Sequence, residues 1–250
     1  MKKAGILIQG LVLFVLAGCA EMQQVVKSVY NDQAPLSQSE VIAGLKQVLS
    51  VGVDSSVARL AVADGYLKDQ AVKIFLPPEA EVITRNLSKL PGGQQLVDRV
   101  VTSINRAASD AAKEASPIIM NSIRNMSIQD AFGILKGSDH AATDYLKRTS
   151  YDALVDLYRP KIQGSLNEKL VGNLSAQQSW NDLTGKWNTV AKSAIGQMAS
   201  LETVETDLSA YLTRKALDGL FLKIAATERD IREDPAARVT DLLKRVFSKQ

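Results

Sequence analysis

The sequence predicts an all-α protein, a single multi-helix domain of roughly eight to ten helices. Three observations carry that expectation. Apolar residues recur at three- and four-residue spacing along almost the whole chain. Alanine, leucine and lysine are common, whereas alternating runs of β-branched residues are scarce. Helix start and stop signals stand where the apolar stripes begin and end.

The elements follow in order. Ser37 and Glu40 have capping-box spacing ahead of Val41, Ile42, Leu45 and Leu49. "AVKIFLPP" (71–78) is the nearest thing to a strand, but it is short and ends in proline, so it is read as a connector. Leu96, Val97, Val100, Val101, Ile104, Ala107, Ala108, Ala111 and Ala112 mark one long amphipathic helix. Ser127 with Asp130 opens "IQDAFGILKG" (128–137), which Gly137 closes. Ser138 or Asp139 is the expected N-cap of the next helix. Trp180, Leu183 and Trp187 share a stripe assigned to the core, and Leu208, Leu212, Leu220 and Ile224 form another. The charged stretch 226–249 reads as a solvated helical face. Within it, Asp234-Pro235 serves as N-cap and N1 of a last helix that turns Val239, Leu242, Leu243 and Val246 inward. Breaks are expected at Gly52, Pro77-Pro78, Pro91-Gly92-Gly93, Pro117, Gly137, Pro160 and Gly172-Asn173.

The N-terminus carries a different kind of signal. Lys2 and Lys3 precede an uncharged, mostly apolar run from Ala4 to Ala17, the layout of a secretory signal peptide. That run is shorter than the roughly 20 residues of a membrane span. The junction Leu16-Ala17-Gly18-Cys19 resembles the lipobox of bacterial lipoproteins, and Cys19 is the only cysteine. The resemblance implies lipidation of Cys19 and a mature chain beginning there, held to a membrane by more than one acyl chain. An ordinary signal peptide, or a hydrophobic anchor that happens to hold a cysteine, is the alternative. Ala20 stands where an aspartate commonly retains such proteins in the inner membrane, so the expected location is the outer membrane, facing the periplasm of a Gram-negative envelope. The expected organisation is a lipoprotein signal peptide at 1–18, a lipidated tether at 19–36 and a helical domain at 37–250.

Charge and composition narrow the function. Loss of Lys2 and Lys3 with residues 1–18 takes the basic count from 30 to 28 against 27 acidic residues, so the net charge falls from +3 to +1. Such a balance offers no clustered basic excess for nucleic acid. With one cysteine, no intramolecular disulfide forms, and stability must come from the core. One histidine excludes multi-histidine metal sites, and no phosphate-loop, nucleophile-elbow, zinc-protease or EF-hand pattern is present. No cofactor or metal is expected, and catalysis is not favoured.

The densest polar tract is "LKGSDHAATDYLKRTSYDAL" (135–154). On a helix, Asp139 aligns with Thr143, and His140 aligns with Asp144 and then Arg148. Asp139, His140, Thr143, Tyr145 and Arg148 are therefore candidate ligand-binding residues for an anionic or amphipathic ligand. The competing reading is a capped helix start with an exposed acid–base pair.

Several segments together resemble DUF4197, a family of bacterial envelope proteins of unknown function. They are "KIFLP" (73–77), "LPGGQQLVDRVVTSINRAASDAAKEASPI" (90–118), "IQDAFGILKGSDHAATDYLKRTS" (128–150), "YRPKI" (158–162) and "LTRKALDGLFLKIAATERDIREDPAARVTDLLKRVF" (212–247). Ser109 stands where the family often has Glu, and Ile119 and Leu146 stand where it has aromatic residues; these departures touch packing. The resemblance implies a helical domain and assigns no activity. Three roles follow. The first is a non-enzymatic lipoprotein that binds an envelope protein or amphipathic ligand. The second is an envelope hydrolase or transferase using 139–149, and the third is a purely structural protein.

Overall fold

In the computed structural model, residues 37–81, 84–85, 91–171 and 174–234 are described. The chain divides into two units, Met1–Val41 and Ile42–Gln250. In the first, Ser37 and Glu40 form the expected capping box: the Ser37 N–H donates to the Glu40 carboxylate at 2.8 Å, and the Glu40 N–H to Ser37 Oγ at 3.3 Å. Cys19 lies outside the described residues, as do Pro235, Val239, Leu242, Leu243 and Val246 of the expected last helix.

The protein is all-α, with nine α-helices among the described residues. They are α1 (Gln38–Leu60), α2 (Gly65–Lys68), α3 (Gly93–Ala112), α4 (Ala115–Arg124), α5 (Ile128–Leu135), α6 (Ala141–Asn167), α7 (Ala176–Ala191), α8 (Ala194–Met198) and α9 (Leu208–Glu233). A small antiparallel pair, β1 (Lys169–Val171) and β2 (Leu174–Ser175), joins α6 to α7.

Helix α6 is the axis of the domain, packed by α3, α4, α5, α7 and α9. Its inward residues Leu146, Leu154, Tyr158, Ile162 and Leu166 are fully buried, and α9 answers with Leu212, Ala216, Leu217 and Leu220. Each such leucine or isoleucine contributes about 1.5–3 kcal/mol of burial. That stripe explains why Pro160 does not break α6 as expected. Leu154 and Tyr158 on one side, and Ile162 and Leu166 on the other, are held by the same core. Proline cannot donate to the Asp156 carbonyl, but Asp156 and Pro160 are both exposed, where water satisfies the freed acceptor.

Gly52 is the second expected break that fails. It lies buried inside α1, against α9. One turn on, Ser56 Oγ donates to Gly52 O at 2.7 Å and meets Thr227 Oγ1 at 2.9 Å, fastening the two helices. A Cβ at Gly52 would stand 3.5 Å from Thr227 Cγ2, an ordinary contact. Gly52→Ala should therefore stabilise the protein by about 0.5–1 kcal/mol, because helical alanine loses less backbone entropy than glycine. A urea-unfolding midpoint that rises with unchanged slope is the expected readout.

Among the described residues, α1 alone is long and apolar enough to cross a membrane by length and composition. Its buried residues Leu45, Val48, Leu49, Val53, Val57 and Leu60 face the protein's own core. The break expected at Pro117 falls instead at Lys113-Glu114, with Pro117 in the first turn of α4. Gly172-Asn173 lies outside the described residues, and the remaining breaks hold. Gly92 precedes α3 with φ of 78°, a left-handed value that glycine takes without strain. Ser127 and Asp130 form a reciprocal capping box on α5, and the Gly137 N–H closes it onto Ile134 O.

Candidate functional site

The polar tract does not converge. Helix α6 starts at Ala141 with His140 in the N-cap position, and no side chain of its own caps it. That corrects the expected Ser138 or Asp139 cap. Asp139 and His140 are exposed. Thr143 and Tyr145 point the other way, into the core, where the Tyr145 hydroxyl donates to Ser122 O at 3.1 Å. Arg148 is exposed, and its guanidinium lies over the Tyr145 ring at 5.5 Å from the centroid. The tract thus splits into two solvent-facing residues, two core residues and an arginine that shields one of them.

What caps α6 comes from the far end of the chain. Glu228 of α9 is 8% exposed and sits at the first turn of α6. Its carboxylate accepts the Ala142 N–H at 3.0 Å, the Thr143 N–H at 2.8 Å and the Thr143 hydroxyl at 2.8 Å. A carboxylate there satisfies orphan donors and meets the positive end of the helix dipole. Arg232, one turn along α9, balances the charge through Nε at 3.1 Å and Nη2 at 2.9 Å, and Nη2 also donates to Ile134 O at 2.9 Å. One buried ion pair therefore ties the end of α5, the start of α6 and α9. Stretch 226–249 is accordingly not uniformly a solvated face, since Glu228 and Arg232 are inside. The signal was available: position 228 continues the 208, 212, 220, 224 stripe.

A second buried polar group lies between α2, α6 and α9. The Tyr66 hydroxyl donates to Ala216 O at 2.9 Å, while Tyr158 Oη and Thr213 Oγ1 are buried without a hydrogen-bond partner. Burial, and then the neighbouring Tyr158, push the Tyr66 phenol well above its usual range; burial does the same to Tyr158. Both protons are held more tightly in the folded state. Their contribution is intact below the unfolded tyrosine value near ~10 and is lost as pH rises above it. Stability should fall by up to about 1.4 kcal/mol per pH unit for each tyrosine in that range. Urea midpoints taken up an alkaline series should fall less steeply for the Tyr66→Phe/Tyr158→Phe double variant. At neutral pH, Tyr158→Phe alone should shift stability by less than about 1 kcal/mol, since its hydroxyl makes no bond to lose.

The cavity beside Glu228, lined by Leu49, Val53, Ile134, Leu146 and Ile224, holds about 20 Å³. That is about the space of one water. Two wider grooves of about 530 Å³ open on the surface. One runs between "FLPP" (75–78) and α3, at Val97 and Val101. The other is polar, between α3 and α6, with Arg99, Arg106 and Lys161. Arg106 is engaged with Asp64 at 2.8 Å, which holds that carboxyl below its usual range, and Lys161 with Glu114 at 2.9 Å. Among the described residues, no group of three or more His, Cys, Asp and Glu side chains is placed to hold a metal ion.

A family model described as a protein of unknown function, DUF4197, matches residues 35–248. The chain belongs to this family. No curated protein and no solved structure matches it. Ser109, Ile119 and Leu146, within the matched region of this DUF4197 chain, all lie in the core. Ile119 and Leu146 are fully buried, and Ser109 Oγ accepts the Tyr66 N–H at 3.2 Å. The DUF4197 segment "KIFLP" is docked on α3 by buried Asn105, which receives the Ile74 N–H at 2.8 Å and donates to the Ile74 carbonyl at 2.8 Å. It is an extended connector, held by an amide that replaces a neighbouring strand.

Proposed function

We propose that the protein is a lipid-anchored envelope protein, held at the outer membrane through Cys19, whose helical domain is a non-enzymatic interaction module facing the periplasm. The anchor rests on Leu16-Ala17-Gly18-Cys19 with Ala20 after it. The observation that favours an interaction role over a hydrolase is the dispersal of the polar tract. Thr143 and Tyr145 are buried and spent on internal hydrogen bonds, whereas Asp139, His140 and Arg148 are exposed. An acid–base mechanism needs its groups within hydrogen-bond reach of one substrate atom.

The test is expression of the wild type beside Cys19→Ser. The wild type should carry the mass of an acylated N-terminal cysteine and fractionate with outer membranes, and the variant should lose both. A variant that stays with the outer membrane at unchanged mass overturns the anchor. In parallel, alanine at Asp139, His140 and Arg148 should leave in-cell crosslinking partners and envelope phenotype unchanged. Loss of phenotype with intact stability would restore the enzyme reading.

A further inference from the structure

Among the described residues, the two most exposed large apolar side chains, Met198 and Ile195, lie together, with two further exposed ones beside them. At the end of α7 and along α8, Trp187 is 42% exposed, Val190 52%, Ile195 79% and Met198 88%. Single exposed apolar residues are ordinary on a protein surface, but four on one short hairpin are not.

The hairpin is built to hold them outward. Gly196 faces the end of α7 so closely that a Cβ there would meet Val190 O at 2.2 Å and Ala191 O at 2.6 Å. With Gly196 turned inward, Ile195 and Met198, three residues apart on one turn, are turned out. Ser193 fixes the corner, accepting the Gly196 N–H at 3.1 Å and donating to Val190 O at 2.7 Å. Behind it, α7 is tied to the returning chain. The Trp187 indole N–H donates to Glu202 O at 2.9 Å, and Asn188 exchanges two hydrogen bonds with Val204 at 2.9 and 3.0 Å. The one polar atom of Trp187 is thus already satisfied, leaving its ring free to enter an apolar phase.

The charge around the tip selects the occupant. Between Asp182 and Glu202 the chain has no acidic residue, and it has two lysines, Lys186 and Lys192, both exposed. Lys186 and Lys192 stand on either side of Trp187 and Val190, with Asp182 one turn before Lys186 and Glu202 next to Trp187. A tryptophan with aliphatic side chains, flanked by lysines and projecting outward rather than lining a groove, fits the boundary between anionic headgroups and acyl chains.

We propose that the α7–α8 tip is a second membrane contact, inserting Ile195 and Met198 into an anionic bilayer surface with Lys186 and Lys192 at headgroup level. The proposal extends the reading of a membrane-tethered protein. It adds an orientation that a lipid tether alone does not impose.

The test uses the full chain with its native N-terminus, reconstituted into phosphatidylethanolamine–phosphatidylglycerol vesicles whose acyl chains are brominated. Trp180 is 3% exposed and serves as an internal reference, so quenching should come from Trp187 and vanish in Trp187→Phe. Ile195→Glu/Met198→Glu, and Met198→Glu alone, should cut the quenching by about tenfold or more, since an apolar side chain is replaced by a charge at the insertion point. Sedimentation with vesicles through the anchor should be unchanged. Phosphatidylcholine vesicles should give weaker quenching than the anionic ones.

Wild-type protein that sediments with the vesicles yet shows no quenching overturns the tip while leaving the anchor standing. A wild type of unmodified mass overturns the anchor, and quenching by added anionic vesicles then still decides the tip. Wild-type dimers that the double variant makes monomeric, without quenching, would assign the tip to a second copy of the chain and overturn the membrane proposal.

Discussion

Glu228→Ala should destabilise the protein by about 3–5 kcal/mol, the cost of removing one partner from a buried ion pair. Three donors at the start of α6, from Ala142 and Thr143, lose their acceptor together. Arg232, whose side chain is 8% exposed, keeps its charge and its bond to Ile134 O but loses the carboxylate beside it. Glu228→Gln retains the shape and one acceptor oxygen, so it should cost less, about 1–3 kcal/mol. Arg232→Met should also cost less than Glu228→Ala, because α6 keeps its cap. The Glu228→Ala/Arg232→Met double variant should then be more stable than the sum of the single losses implies, with a coupling of about 0.5–3 kcal/mol. Denaturant midpoints for the four proteins close the cycle. Additive losses, or a Glu228→Ala cost below about 1 kcal/mol, would mean that the pair fastens nothing.

The contrast between that carboxylate and the tract around His140 shows what the sequence carries. Local signals were legible at several places where the partner lies within one turn, although the Ser175–Gln178 box at the start of α7 was not read. The Ser127–Asp130 box, the Ser37–Glu40 box and the Pro91-Gly92-Gly93 entry to α3 each close within a few residues. The α3 stripe was legible too, since Ile104, Ala108, Ala111 and Ala112 are all fully buried. What failed were features whose reason is remote. Gly52 and Pro160 have low helix propensity, but packing against α9 and along α6 outweighs the one to three kcal/mol at stake (about the intrinsic cost of each residue). The cap of α6 comes from a residue 85 positions away from Thr143. No local pattern distinguishes Glu228 from the exposed charges beside it, except that it extends an apolar stripe. Trp187 shows the converse. It shares the stripe of Trp180, yet α7 outruns its cover and leaves the second tryptophan 42% exposed.

Asn105→Leu should cost about 2–4 kcal/mol, because it strands both backbone groups of buried Ile74 at once. Asn105 is fully buried on α3 and makes three bonds of 2.8 Å, to the Ile74 N–H, to the Ile74 carbonyl and to Val101 O. Among the described residues the segment 72–77 has no strand beside it, so this amide satisfies the backbone of buried Ile74 while Val72 and Ile74 pack inward. Leucine has about the right volume but neither donor nor acceptor, so the loss measures the hydrogen bonds rather than a cavity. Asn105→Asp separates the two halves of the interaction. It still accepts from the Ile74 N–H, but as a carboxylate it cannot donate, and it faces two carbonyl oxygens. Burial and those oxygens would raise its pKa above the unfolded value, so the aspartate variant should regain stability as pH falls through that raised value. The leucine variant has no titrating group and should show no such recovery relative to wild type. Hydrogen exchange should show the Ile74 amide opening well below the global unfolding free energy in the leucine variant, and with it in the wild type. If acid rescues neither variant, or both equally, the segment is held by the side chains of Val72 and Ile74, and the Asn105 amide only follows them.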